Sequence, residues 1–256
     1  MLARNSALGR PQLKAVFFDM DGTLVHLPRD FSAPRFLQRV LQGLGLEVEL
    51  GRLERAYEQA EAWWQELFAD DYTRWTRENF VEFNRRLLAS LELDRSGGPA
   101  VTLDDLDLER LAGRVQDHWE RLPEEAGELL YPEVPQALEG LRRRGLTLGI
   151  LSNRTLPAIQ SSLRRHGLSS YFQCLVSPQR AGAPRGKLDR AMWEYALSQL
   201  GVAPEEAAHI GDRYEDDVVG ARSAGLLPIL IDREGRYKEC DCPRISKLTE
   251  VLRLLE

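Results

Sequence analysis

Two aspartates, Asp19 and Asp21, stand two residues apart in the pentad Asp19-Met20-Asp21-Gly22-Thr23, directly after the apolar run Ala15-Val16-Phe17-Phe18. The run is short, rich in aromatic and β-branched residues and flanked by polar ones, so it reads as a buried strand. Two carboxylates at the end of such a strand, on a turn made by Gly22, are not a packing solution. A charge beside apolar surface is expensive unless a cation or a reaction needs it. The pair reads as a nucleophile with a proton-transfer group, both directed at one anionic substrate. Taken alone, an Asp pair could also simply cap a strand end, since Asp is common in turns.

Three further groups follow. The run Leu148-Gly149-Ile150-Leu151 leads into Ser152-Asn153; Lys187 opens a helical pattern; and Gly211-Asp212-Arg213-Tyr214-Glu215-Asp216-Asp217 forms an acidic loop after a short apolar run. Each has a plainer reading by itself. Ser-Asn pairs are common in loops, single lysines are mostly solvated, and paired aspartates favour a helix start. One short motif is a weak signal, but four in this order are a strong one.

The four groups resemble the motifs of the haloacid dehalogenase-like superfamily, which opens on Asp-x-Asp-x-Thr, and the resemblance covers most of the chain. It implies that Asp19 attacks phosphorus in line and forms an aspartyl-phosphate. Asp21 would protonate the leaving oxygen and then deprotonate the water that cleaves the intermediate. Thr23, counted with the phosphate-binding residues, would steady the turn around Asp21. Ser152 and the backbone amide of Asn153 would hold phosphoryl oxygens, and Lys187 would neutralise another. Mg²⁺ would be held by Asp19, the backbone carbonyl of Asp21, and Asp212. Asp216 and Asp217 would support the site, one ordering the metal's water shell and one orienting Lys187, with Asp217 the favoured of the two.

Two positions depart from the family pattern. Lys187 is followed by Leu188 where Pro is usual, after a long loop over 177–187 that makes Arg185 a reserve for its role. Pro132 is followed by Glu133 where Gly is common, a change expected to touch the hinge rather than the chemistry.

The resemblance implies a Mg²⁺-dependent phosphatase acting on a small phosphorylated metabolite. An acid at Asp21 separates it from haloacid dehalogenases, whose halide needs no proton, and from transport ATPases, which carry Thr there. Phosphonate hydrolases of this architecture need a cap lysine, and residues 28–130 contain none. Sugar phosphomutases remain the alternative within the superfamily, and a catalytically inactive binding scaffold is the alternative of another class. Receiver domains also use Asp, Ser or Thr, and Lys on a doubly wound sheet, but they are shorter and lack an insertion after the first strand.

These residues need a scaffold that brings them together. From Leu130 onward, apolar runs at 146–151, 172–177, 207–210 and 227–231 alternate with helical patterns at 134–144, 156–166, 188–200 and 216–224, and a closing helix spans 246–255. Alternation of this kind implies parallel βαβ units. In an open parallel sheet, sites form outside the carboxyl ends of the strands. Asp19, Ser152 and Asp212 each fall at such an end.

The stretch after the pentad breaks the alternation. Ser32-Ala33-Pro34 opens a helix with Phe36, Leu37, Val40, Leu41 and Leu44 on one face. A second runs over Leu50–Phe68, a third carries Phe80, Phe83, Leu87 and Leu91, and Arg95-Ser96-Gly97-Gly98-Pro99 is a loop. Thr102-Leu103-Asp104-Asp105 resembles a capping box that starts a fourth. The expected architecture is therefore α/β: a doubly wound, Rossmann-like parallel-sheet core over 1–27 and 128–256, carrying an all-helical cap over 28–127, with hinge strands in 24–28 and 123–130. The aromatics Trp63, Trp64, Phe68, Tyr72, Trp75 and Trp119 are expected to fill the cap's core, with a substrate-contacting surface as the alternative. His26, at the hinge, is a further candidate for substrate contact.

Bulk properties narrow the class. A net charge of -6 argues against a nucleic-acid partner, which calls for a basic surface, and it means that local charge must draw in an anionic substrate. No apolar window approaches 18 residues, so no membrane span is expected. Residues 1–12 lack the apolar segment of a secretion signal and read as a loose tail of a cytoplasmic protein. Cys174, Cys240 and Cys242 are too few for a disulfide framework, and the Cys240-Asp241-Cys242 pair reads as a plain loop. Only four of the 34 basic residues are lysine, which leaves few for chemistry. Oligomeric state is not legible from the sequence.

Overall fold

A computed structural model describes residues 12–68, 71–91 and 105–255. Five central strands build one parallel sheet: β1 (Ala15–Phe18), β4 (Thr147–Leu151), β5 (Cys174–Val176), β6 (Ala207–Gly211) and β7 (Leu227–Ile231). A two-residue strand, β8 (Arg244–Ile245), extends it, in the order β5-β4-β1-β6-β7-β8. Strand β1 pairs with both β4 and β6, Phe18 standing opposite Ile150 on one side and Ile210 on the other. The chain thus leaves β1 towards one edge, then returns to build the other. This is the reversal beside which α/β sheets place their ligand crevice.

Every residue of β1 is fully buried. Val16 and Phe18 join one apolar cluster with helix α6 (Val134–Arg143) and helix α7 (Leu156–Arg165). Ala15 and Phe17 join another, around Met192 and Trp193 of helix α9 (Arg190–Leu200). Strands covered on both faces read as continuous apolar runs, which is why β1 has no alternation. Each buried Phe contributes about 1.5–3 kcal/mol.

Between β1 and the rest of the sheet lie β2 (Val25–His26), the helices α1 (Ala33–Gly43), α2 (Leu50–Phe68), α3 (Arg77–Ala89), α4 (Asp105–Glu120) and α5 (Leu122–Glu125), and β3 (Leu129–Leu130). The expected hinge strands form only in part: β2 and β3, two residues each, pair antiparallel with Val25 opposite Leu130, while Leu122–Glu125, at the start of the second expected strand, is helical. The inserted helices own a separate apolar cluster, with Leu37, Leu41, Leu53, Leu87, Leu88 and Ala112 inside. Among the described residues the insertion contains no strand. The tail reading over most of 1–12, the loop at Arg95–Pro99 and the capping box begun by Thr102 lie outside the described residues.

Several expected elements change shape. The strand expected over 172–177 shortens to β5. The helix expected from 188 starts at Arg190, because Asp189 is extended (φ -94°, ψ 127°). Lys187 therefore sits on a separate 3-10 turn, Gly186–Leu188, rather than at a helix start. The helix expected over 216–224 becomes a π-helical turn, Tyr214–Val219, followed by α10 (Gly220–Ser223). The closing helix contracts to a 3-10 turn, Leu248–Glu250, and α11 (Val251–Leu254). A short helix, α8 (Pro178–Ala181), fills part of the loop before Lys187.

Candidate active site

Asp19, Ser152 and Asp212 meet outside the carboxyl ends of β1, β4 and β6. Asp19 is only 6% exposed, and its amide donates to the Ile210 carbonyl at 2.9 Å. The chain then turns sharply: the Leu24 and Val25 amides both donate to the Met20 carbonyl. Gly22 makes this turn with φ +68°, and a Cβ there would overlap the Asp212 carboxylate. Glycine is needed for the backbone angle and for the approach of Asp212.

Lys187 fills the floor of the site. It is 3% exposed, and its Nζ donates to Asp19 Oδ1 at 2.5 Å and to Asp217 Oδ1 at 2.6 Å. Asp217 is further held by His209 Nε2 at 2.8 Å and by the Arg213 amide at 2.9 Å. A Cβ at Gly211 would collide with the Asp217 carboxylate, so that position too must be Gly. Burial works against the Lys187 ammonium, but Asp19 and Asp217 outweigh it and raise its pKa. Burial likewise opposes the Asp217 anion, yet Lys187 and His209 hold that carboxyl well below the usual range. For Asp19, burial prevails over the attraction of Lys187 and pushes the carboxyl up to about 7. Burial also raises Asp212, despite Arg236 Nη2 at 2.8 Å from its Oδ2.

Asp19, Asp212 and Asp217 each offer an oxygen, and these oxygens lie within 4.8 Å of one another. Asp19 and Asp217 share the buried Lys187 ammonium while Asp212 pairs with Arg236, and burial pushes Asp19 and Asp212 towards the neutral form. A hard divalent cation suits oxygen ligands of this kind, so the residues fit the Mg²⁺ that the sequence resemblance implies. The two supporting aspartates separate here. Asp217 meets Lys187, whereas Asp216 pairs with Arg213 at 3.1 Å.

The phosphate-binding candidates divide as well. Ser152 is 1% exposed, and its Oγ accepts the Arg154 amide at 3.3 Å. The Asn153 side chain accepts the Lys187 amide at 3.1 Å, which ties the Lys187 turn to β4. Thr23 is fully buried and its hydroxyl has no hydrogen-bond partner. The turn it was expected to steady is instead held by Arg233, which donates to the Gly22 and Thr23 carbonyls at 3.0 and 2.7 Å. Arg233 in turn pairs with Glu133 at 2.6 Å and lies over the Tyr131 ring. Glu133 thus reaches past the hinge to brace the aspartate turn. Arg185 is 64% exposed and bound to Asp189, which removes it as the reserve for Lys187.

Sequence reasoning missed Arg154, two residues after Ser152. Its guanidinium grips the Asp21 carboxylate with both Nε, at 2.7 Å, and Nη2, and also reaches Glu128 at 2.8 Å. The Asp21 side chain is 57% exposed, while Glu128 is 1% exposed and further held by Ser162 and His166. The one available signal was a lone glutamate beside the apolar pair Leu129-Leu130, since a buried carboxylate needs a partner. His209, inside β6, was also missed.

A cavity of about 830 Å³ opens beside Asp21, Arg154 and Ser177 and runs under the insertion. Of the insertion's aromatics, Trp64 and Phe68 are buried, and Trp64 stacks on Phe80 at 4.7 Å. Trp75 and Trp119 line the cavity together with Trp64. The core-filling expectation is met by Trp64 and Phe68, while Trp75 and Trp119 are the residues to which the substrate-contacting alternative applies. His26 instead packs on Tyr131 with ring centres 4.6 Å apart. Cys240 Sγ lies 3.4 Å from the Cys242 carbonyl, within a loop. Among the described residues no helix is long and apolar enough to cross a membrane.

A family model of haloacid dehalogenase-like hydrolases matches residues 13–225. The chain belongs to this family. As a haloacid dehalogenase-like hydrolase it is similar to phosphatase MT3486 of Mycobacterium tuberculosis, 30% identical over 241 residues, which spans 94% of this chain and 97% of that one. It is 38% identical to a phosphoserine phosphatase of Thermus thermophilus over 125 residues, about half of each chain (48% and 49%). The hydrolase's fold also matches a crystal structure of 2-haloacid dehalogenase from Pseudomonas syringae pv. Tomato DC3000, with a TM-score of 0.68 and 25% identity over 95% of this chain and 98% of that one.

Proposed function

We propose that this hydrolase is a Mg²⁺-dependent phosphatase that cleaves phosphate monoesters through an aspartyl-phosphate on Asp19, with residues 28–127 acting as a cap on the core. The observation that carries the reading is the contrast between the two aspartates of the turn. Asp19 is buried with its carboxylate against Lys187, while Asp21, two residues on, faces the mouth of the cavity with a 57% exposed side chain. A nucleophile belongs where solvent is excluded, and an acid-base group belongs where a leaving oxygen and a water can reach it. A halide leaving group would need no proton, so an acid at Asp21 favours phosphate over the haloacid chemistry of the structural neighbour.

In this reading Lys187 offsets charge on the phosphoryl oxygens, helped by Ser152 and the Asn153 amide. Asp19 and Asp212, with the Asp21 backbone carbonyl and Asp217 beside them, would hold the metal. Bound there, a divalent cation offsets the repulsion between a carboxylate and a phosphate dianion. Arg154 fixes the Asp21 carboxylate, and it must release part of that grip when Asp21 passes a proton to the leaving oxygen.

Rapid-quench mass spectrometry with p-nitrophenyl phosphate tests the assignment. Asp19→Asn removes the attacking atom and is expected to abolish phosphate release. Asp21→Asn keeps the nucleophile but loses proton transfer, worth about 10²–10⁴ in rate. An aryl leaving group needs little protonation, so the second step slows more than the first and phosphate accumulates on a peptide containing Asp19. A phosphorylated Asp21, or full turnover in excess chelator, would overturn the mechanism.

A further inference from the structure

From the cavity beside Asp21 we infer the class of leaving group: a phosphate monoester whose alcohol carries an extended, flat aromatic or heteroaromatic body. The inference rests on the phosphatase reading above, because that reading fixes where the leaving group must lie. The acid has to touch the leaving oxygen. Asp21 and Arg154 form the end of the cavity nearest the turn, so whatever is attached to that oxygen extends into this space.

The space is larger than a small substrate fills. About 830 Å³ lies in the upper part of the range of ligand pockets, roughly 300–1,000 Å³. At about 30 Å³ per water, it is equivalent to roughly 28 waters. A two- or three-carbon phosphate would leave most of that water against the walls.

Those walls are aromatic. Trp75, Phe80, Phe83 and Trp119 are half-buried and line the cavity, with the ring of Tyr57 meeting Phe83 edge to face at 5.7 Å. Aromatic faces left partly uncovered in a cavity favour offset or edge contacts with another ring. Polar groups are sparse but placed. Asn84 and Gln116, both nearly fully buried, meet at 3.1 Å in the wall. Ser177 and Gln179 also belong to the lining, but the Ser177 hydroxyl and the Gln179 amide oxygen are shielded from solvent and have no hydrogen-bond partner. An unpaired buried polar atom costs about 1–3 kcal/mol. A flat ring would cover the aromatic faces, and polar edges on it would suit a wall in which polar groups are few.

The closing experiment compares four esters with the metal-loaded wild-type enzyme: 2-naphthyl phosphate, a purine nucleoside 5′-monophosphate, glycerol 1-phosphate and 3-phosphoglycerate. The expected result is a kcat/KM about 100-fold higher for the ring-bearing esters. The naphthyl ester tests the aromatic walls alone, and the nucleotide adds the polar edges. Phe83→Ala is expected to narrow the preference about tenfold for both ring-bearing esters. Equal or inverted preference, with good turnover of the small esters, overturns this inference and leaves the phosphatase reading standing. Binding is read separately, by quenching of tryptophan fluorescence in Asp19→Asn. Saturable quenching by 2-naphthyl phosphate with no hydrolysis of any ester by wild type would sink the phosphatase reading while supporting the aromatic cavity; no quenching would remove the cavity assignment.

Discussion

The two walls of the cleft are made of different materials. On the core side, Asp19, Asp217, Lys187 and His209 are charged or titratable, nearly inaccessible to water, and bonded to one another at 2.5–2.8 Å. On the cap side, the neighbouring cavity that opens beside Asp21 is lined mainly by aromatic rings and one neutral amide pair, with Glu61, Arg77 and Glu120 also in its lining. The core wall is a closed set in which every charge depends on another. The cap wall is a set of contacts that can be exchanged one at a time. Phosphate chemistry needs fixed charges at fixed distances, whereas selection of a leaving group needs only area and shape. A single substitution should therefore be far more costly in the core wall than in the cap.

Lys187→Ala gives the largest expected effect. It strands Asp19 and Asp217 as buried carboxylates, and breaking a buried pair from one side costs about 3–5 kcal/mol. Turnover should fall below detection in the same variant. Lys247→Ala removes the same charge from an exposed loop and should stay within about 0.5 kcal/mol. Urea titrations of both variants, with p-nitrophenyl phosphate assays, check this. If Lys187→Ala kept its turnover while Arg185→Ala lost it, the core wall would be misassigned.

Next in size is the link between the walls. Arg154 joins Asp21 to Glu128, at the foot of the insertion, so the acid-base group is tied to the hinge. Arg154→Gln should lower kcat by roughly 10–100-fold and leave Glu128 short of a partner, at about 1–3 kcal/mol. A double-mutant cycle with Glu128→Gln should return a coupling of about 0.5–3 kcal/mol. Additive effects would mean that the two carboxylates are served independently and that the hinge does not communicate with Asp21.

A backbone change ranks below these. Gly22→Ala forces a side chain into φ +68° and against Asp212. Such strain costs of order 1–3 kcal/mol. The useful readout is metal affinity: if Asp212 helps to hold Mg²⁺, calorimetry should show weaker binding in Gly22→Ala than in Gly145→Ala. Gly145 also has a positive φ, at +79°, but a Cβ there meets nothing. Equal metal affinity in the two variants would separate Asp212 from the metal.

The sequence was most readable where one local pattern sufficed. Strands β1, β4 and β7 are largely apolar runs and β6 is one interrupted by His209; the ends of β1, β4 and β6 lead into Asp19, Ser152 and Asp212. The helices of the insertion were readable from their spacing. What escaped depends on contacts between distant segments. Arg154 and Glu128 are 26 residues apart and look like ordinary surface charges until α7 brings them together. Glu133 and Arg233, 100 residues apart, meet only because β7 ends beside the aspartate turn. The π-helical turn at Tyr214–Val219 was read as a plain helix because its cause is tertiary: Asp217 is drawn inward to Lys187 and His209 while its carboxylate also accepts the Arg213 amide. Strand β8 has two residues, too few to show a period.

The smallest effect is expected deep in the cap wall, and it is the sharpest test of the contrast. Trp64 is 6% exposed and stacks on Phe80 at an interplanar angle of 8°. Trp64→Phe keeps an aromatic face there and removes one ring's width. Shape changes of this kind in a core cost about 1.5 kcal/mol or less when the neighbours can repack. Phe68, Trp75 and Phe83 all contact the same ring, with centres 4.8–5.9 Å away, so several side chains can share the adjustment. Nothing charged depends on it. The melting temperature of Trp64→Phe should therefore drop by only a few degrees, about 2–4 °C per kcal/mol for a chain of this size. Its kcat with p-nitrophenyl phosphate should stay within about twofold of wild type, an energy difference near 0.4 kcal/mol. A loss of kcat comparable to that of Arg154→Gln would show that the cap wall positions the reacting groups as the core wall does. The division between fixed charges and exchangeable surface would then fail at the residue where it is most exposed to test.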